Sequence, residues 1–104
     1  MPPPIISFVT PVMQRKGFYI VTGKSISWWS KTIEHNGQRI SIEITGPEDI
    51  APQSFDKPAI LRAYDAGTAV ELTNEIQFDS LKDCLGVNID QVVREDVDKL
   101  MDEI

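Results

Sequence analysis

The dipeptide Asn36-Gly37 constrains this 104-residue chain more than any other feature. It lies between two runs of β-type residues, and Asn-Gly favours a two-residue type I′ hairpin because both central positions need φ > 0. A turn there sets the pairing: Ile33 faces Ile40, Lys31 faces Ile42 and Trp29 faces Ile44. Side chains alternate along a strand, so this register places Trp29, Ile33, Ile40, Ile42 and Ile44 on one face, with Lys31 reaching around the edge. Trp28 and Ile26 then point to the opposite face. A slip of one residue would reverse both sets.

Weaker signals surround the hairpin. Ile5 to Val9 reads as a strand stopped by Thr10-Pro11, and Phe18 to Thr22 as another, bounded by Gly17 and Gly23. Residues 46–55 form a loop rich in Pro, Gly and acidic side chains. Segment 58–66 admits two readings: a short helix capped by Asp56 and closed by Gly67, or a strand that turns at Asp65-Ala66-Gly67. The strand is preferred, because Ala69 to Phe78 offers a partner with Val70, Leu72, Ile76 and Phe78 on one parity. Asp79-Ser80 starts a short helix, with Leu81 and Leu85 spaced i, i+4 before Gly86. Asp90 caps a longer helix running to about Glu103, on which Val93, Val97, Leu100, Met101 and Ile104 form an apolar stripe. Glu95, Asp98 and Asp102 lie opposite that stripe. The expected architecture is α+β: a mostly antiparallel sheet of four or five strands with two C-terminal helices packed on one face. Residues 1–104 make one domain, with 1–4 a flexible Pro-rich arm.

Composition narrows the function. The longest apolar runs are a few residues, against the ~20 needed to cross a bilayer. The start of the chain lacks the basic region and long apolar stretch of a signal peptide. One cysteine, Cys84, cannot form an internal disulfide, which points to a reducing, cytoplasmic setting. The net charge of −6 is unevenly spread. Residues 1–42 carry five basic groups against one acid, whereas residues 43–104 carry five against fifteen. That asymmetry disfavours nucleic acid, which calls for a basic stripe, and suits electrostatic steering of a basic partner.

Catalytic and metal signals are sparse. His35 is the only histidine and sits beside the hairpin turn, where a polar, exposed residue is expected in any case. Cys84 lies in a short helix among acidic neighbours, which would raise its pKa and make it a poor nucleophile. No calcium-loop spacing and no phosphate-cradling GxGxxG or GxxxxGK occurs, so no cofactor and no metal is implied. Two features remain. The acidic ridge Glu95, Asp98 and Asp102 crowds the C-terminal part of the last helix, where negative charge opposes the helix dipole. Of the paired tryptophans one belongs to the core. The other, Trp28, is either covered by a helix or the N-terminal segment, or serves as an aromatic anchor for a partner.

In size, net charge, cysteine poverty and lack of catalytic residues, the chain resembles the small acidic immunity proteins of bacterial toxin systems. The resemblance implies a binding inhibitor rather than an enzyme, with a basic nuclease toxin domain as partner, since such nucleases must be basic around the site that holds phosphates. Glu95, Asp98 and Asp102, with Trp28, are the residues expected to meet it. An adaptor or structural subunit of a phage particle or larger complex is the alternative, along with a phage-encoded inhibitor.

Overall fold

The computed structural model describes residues 8–102; the arm at 1–4, the start of the strand expected from Ile5, and Ile104 lie outside them, as does the side chain of Met101. At the hairpin, Asn36 and Gly37 adopt φ of 53° and 79°, the left-handed conformation a type I′ turn requires. Strands β2 (Ser27–His35) and β3 (Gln38–Thr45) pair as the turn dictates, with Ile33 opposite Ile40, Lys31 opposite Ile42 and Trp29 opposite Ile44.

The sheet grows outward from this hairpin. With β1 (Tyr19–Thr22), β4 (Ala59–Asp65) and β5 (Ile76–Phe78), it is a five-stranded antiparallel meander in the order β1-β2-β3-β4-β5. Segment 58–66 is therefore strand. Period-two alternation gives the sheet one apolar face, where Trp29, Ile33, Ile40, Ile42, Ile44, Ala59, Leu61 and Ala63 are all buried.

Three helices contribute to that core: α1 (Val9–Arg15), α2 (Leu81–Leu85) and α3 (Ile89–Asp102). Helix α1 replaces the end of the strand expected over Ile5 to Val9. Pro11 does not stop it, because Pro11 is the third helical residue, where a backbone N–H has no helical acceptor to lose. Val9 and Met13, one turn apart, are fully buried. The helix ends in a Schellman motif: Phe18 N–H donates to Met13 O at 2.9 Å and Gly17 N–H to Gln14 O at 3.0 Å. Gly17 takes φ 91° there, so this glycine closes a helix as well as preceding a strand.

Two further expectations are corrected. The strand from Ala69 to Phe78 is broken. Glu71 bridges Tyr64 and Ile76 pairs with Leu61, so five steps on one side oppose three on the other. The two surplus residues form a bulge that preserves parity, which is why the sequence alternates through an interruption. Helix α3 is capped by Asn88, whose Oδ1 accepts from Gln91 N–H at 3.2 Å, and not by Asp90. Asp90 turns instead to Lys31, which lies within the apolar face of β2, 5.6 Å from the centre of the Phe18 ring. Lys31 Nζ stands 3.0 Å from each Asp90 oxygen. In α2, Ser80 Oγ accepts from Asp83 N–H, as its position predicts.

Between β3 and β4 the chain makes a 3-10 turn at Pro47–Asp49 and folds back over the edge of the core. Trp29 Nε1 donates to Pro52 O at 3.0 Å, which satisfies the one polar group of the buried indole. The turn depends on Gly46: a Cβ there would sit 2.7 Å from the carbonyl oxygen of Ile50.

Candidate functional site

Helix α3 lies along β2 and is tied to it at three levels. Lys31 meets Asp90, the Glu34 carbonyl accepts from Arg94 Nη2 at 3.3 Å, and His35 Nε2 lies 2.8 Å from Asp98 Oδ1. The spacing has a geometric cause. Asp90, Arg94 and Asp98 stand one turn apart on one helix row, spanning about 12 Å at 1.5 Å per residue. Lys31 to His35 spans about 13 Å of extended strand, so the two rows stay in step. Lys31 and His35 share the helix-facing parity and use their side chains, whereas Glu34 points away and offers only its backbone.

This arrangement leaves the acidic ridge outward. Glu95, Asp98 and Asp102 are all exposed, Val93 and Val97 are buried, and Leu100 is half-exposed where burial was expected. The reason is length. Asp98 already reaches the last residue of β2, so the final turn of α3 runs past the end of that strand. Two ridge members also have neighbours on the protein: Glu95 accepts from Gln91 Nε2 at 3.0 Å, and Asp98 holds His35. His35 is half-buried by this contact rather than exposed.

Trp28 is not part of the same surface. It occupies the opposite face of the sheet, about 23 Å of strand from His35. None of α1, α2 and α3 contributes to the hollow it lines, and it is half-buried. The four residues expected to meet a partner thus fall into two groups on opposite sides of the molecule.

The second group includes residues not anticipated from sequence. Trp28 lines a hollow of about 270 Å³ with Glu43, Arg62 and Tyr64, and Asp49 from the 3-10 turn reaches its rim. Glu43 and Arg62 are direct cross-strand partners on β3 and β4. Arg62 is already engaged, since its Nε and Nη2 both donate to Glu75 Oε2 at 3.0 and 2.8 Å. Hydrogen bonds from Gln77 and Arg62 hold the Glu75 carboxyl below its ordinary pKa. Glu43 is in the reverse condition: burial pushes its pKa up, and the charge of Arg62 only partly offsets this. Burial, reinforced by the negative charge of Glu43, likewise raises the pKa of the Tyr64 phenol. The signal for this cluster was present in the hairpin register, because if Ile42 and Ile44 face the core, Glu43 must face away.

The remaining candidates do little chemistry. Cys84 is fully buried and burial pushes its thiol up to about 12, so the direction expected from its acidic neighbours holds while the cause differs. Among the described residues no group of three or more His, Cys, Asp or Glu side chains gathers to hold a metal ion. No described helix is long and apolar enough to cross a membrane. Comparison with known proteins found no matching family model, no matching curated protein and no matching solved structure.

Proposed function

We propose that this chain acts by stoichiometric binding, masking a basic protein partner in the cytoplasm in the way an immunity protein masks a nuclease toxin. The observation that carries the reading is the locked acidic helix. Three ties spaced along β2 hold α3 in place while Glu95, Asp98 and Asp102 face outward. Charges presented on a rigid element raise the association rate of an oppositely charged partner without an ordering cost on binding. The chain's formal charge of −6 acts in the same direction at longer range.

The test uses the whole chain as bait in cells of its source, beside a variant with Glu95→Lys, Asp98→Lys and Asp102→Lys. The expected result is capture of a basic protein by the first bait, much weaker capture by the second, and loss of the captured protein's nucleic-acid cleavage at a one-to-one ratio. Equal capture by both baits, or a partner of acidic charge, overturns the reading.

One observation favours an adaptor instead. Edge strand β1 carries no charged residue and exposes Tyr19 and Ile20, at 54% and 43%. Gly23 N–H donates to Ile26 O across the β1–β2 turn, so by alternation the backbone groups of Ile20 and Thr22 point away from β2. An uncharged edge with no described strand beyond it invites an added strand. Capture that survives the ridge variant and fails with Ile20→Pro would support this second reading.

A further inference from the structure

We propose that the hollow between Trp28 and Tyr64 on the helix-free face of the sheet is a receptor for one cationic side chain, a lysine or arginine, of a protein partner. The proposal rests on the reading that the partner is basic, and adds a second point of contact remote from α3.

Charge bookkeeping on this face decides the sign of the ligand. Among the described residues Arg62 is the only cation lining the hollow, and Glu75 holds it through two donors. That leaves the lining net negative, since the Arg62 charge only partly offsets the burial of Glu43, and Asp49 adds a second carboxylate. Among the described residues the Glu43 carboxylate has no hydrogen bond and no ion pair, although it is half-buried and has lost part of its hydration. A desolvated carboxylate without a partner is costly, and native structures ordinarily supply one. Arg62, shared with Glu75, meets that need only in part, and a second cation supplied by the partner would complete it.

The walls fit the same occupant. A guanidinium or ammonium group is attracted to the face of an aromatic ring, and its methylene stem packs on apolar surface. Trp28 and Tyr64 provide the rings, and Ile26 adds an aliphatic lip that is 43% exposed. Size argues against a larger ligand: about 270 Å³ is below the ~300–1,000 Å³ common for cofactor and small-molecule pockets. An anion is disfavoured because the lining carries two carboxylates, Glu43 and Asp49, against one guanidinium that Glu75 already engages.

The experiment is a titration of the intact protein with N-acetyl-arginine methylamide and N-acetyl-lysine methylamide, followed by NMR at the two indole N–H signals. The neutral citrulline analogue serves as control. Trp29 is an internal reference, because its indole is buried and donates to Pro52. The expected result is a saturable shift of the Trp28 signal with a dissociation constant on the order of 10 mM, little shift of Trp29, and binding at least about tenfold weaker for Glu43→Gln. No saturation, an equal response to citrulline, or an unchanged response in Glu43→Gln overturns the proposal. The Glu95→Lys, Asp98→Lys, Asp102→Lys variant should bind the probes as the parent does, which separates the two readings. Probe binding lost while capture still depends on the ridge defeats this inference alone. Probe binding retained while the ridge proves irrelevant to capture defeats the first reading alone.

Discussion

Glu43 and Asp65 lie on neighbouring strands and illustrate opposite uses of a carboxylate. Asp65 Oδ2 accepts from Gln38 Nε2, and its Oδ1 accepts from the backbone N–H groups of Gly67 and Thr68. These bonds lower its pKa from 3.8 to about 2. A depressed folded value means stability that is present above the unfolded pKa and disappears as pH falls through the folded one. The native chain should therefore lose stability between pH 3.8 and about 2. Asp65→Asn, which keeps the turn but not the charge, should be less stable than the parent at neutral pH and converge with it across that window. Urea midpoints at a series of pH values would check this. For Glu43 the sign reverses. Its folded pKa is raised above 4.5, so its contribution is complete below that value and is lost as pH rises through the folded pKa. Glu43→Gln should raise the melting temperature at neutral pH, and the gain should vanish on acidification below 4.5. A mutation that stabilises the fold and weakens cation binding is the expected signature of a group retained for function.

At the level of elements, what could be read in advance was whatever is local in sequence. The Asn36-Gly37 turn specifies its own φ values, and once these are set the register of β2 on β3 follows, together with the burial of Trp29, Ile40, Ile42 and Ile44. Helix α2 was legible for the same reason, through Ser80 and Gly86. Elsewhere neighbours in space decide. Thr10-Pro11 signals a break unless the helix begins at Val9, and the pull of the core on Val9 and Met13 makes it begin there. Alternation over Ala69 to Phe78 is satisfied equally by a continuous strand and by one bulged at 72–75. How far along α3 the packing persists depends on the length of β2 relative to the helix, which the sequence does not state. Substitution can measure that last point. Ile42→Ala, at a fully buried central position, should cost about 2–5 kcal/mol, whereas Leu100→Ala, over no strand, should cost clearly less than ~2 kcal/mol. Comparable losses in thermal or urea melts would mean that α3 is packed to its end.

On the scale of the whole molecule, the two candidate contacts face in opposite directions, so a single flat partner surface cannot touch both. Either the partner wraps around the β1 or β5 edge of the sheet, or the two contacts engage different segments. The hairpin register reveals that Glu43 faces away from the core but not the hollow, because Trp28, Glu43, Asp49 and Arg62 become neighbours only when three strands and a turn are in register. The uneven charge does not divide cleanly in space either, since Lys31 and Arg94 both serve the junction of sheet and helix. That junction has a consequence for how the chain is made. In a meander every strand pairs with the next one synthesised, so the sheet can assemble as it emerges. Its helix-facing side must wait, because Asp90 follows Lys31 by 59 residues. At about 5–20 residues per second, roughly 3–12 s of translation separate the two. For those seconds the apolar face of β2 lacks the helix that Lys31 and His35 later tie to it, and the nascent chain presents that face to chaperones and to copies on neighbouring ribosomes.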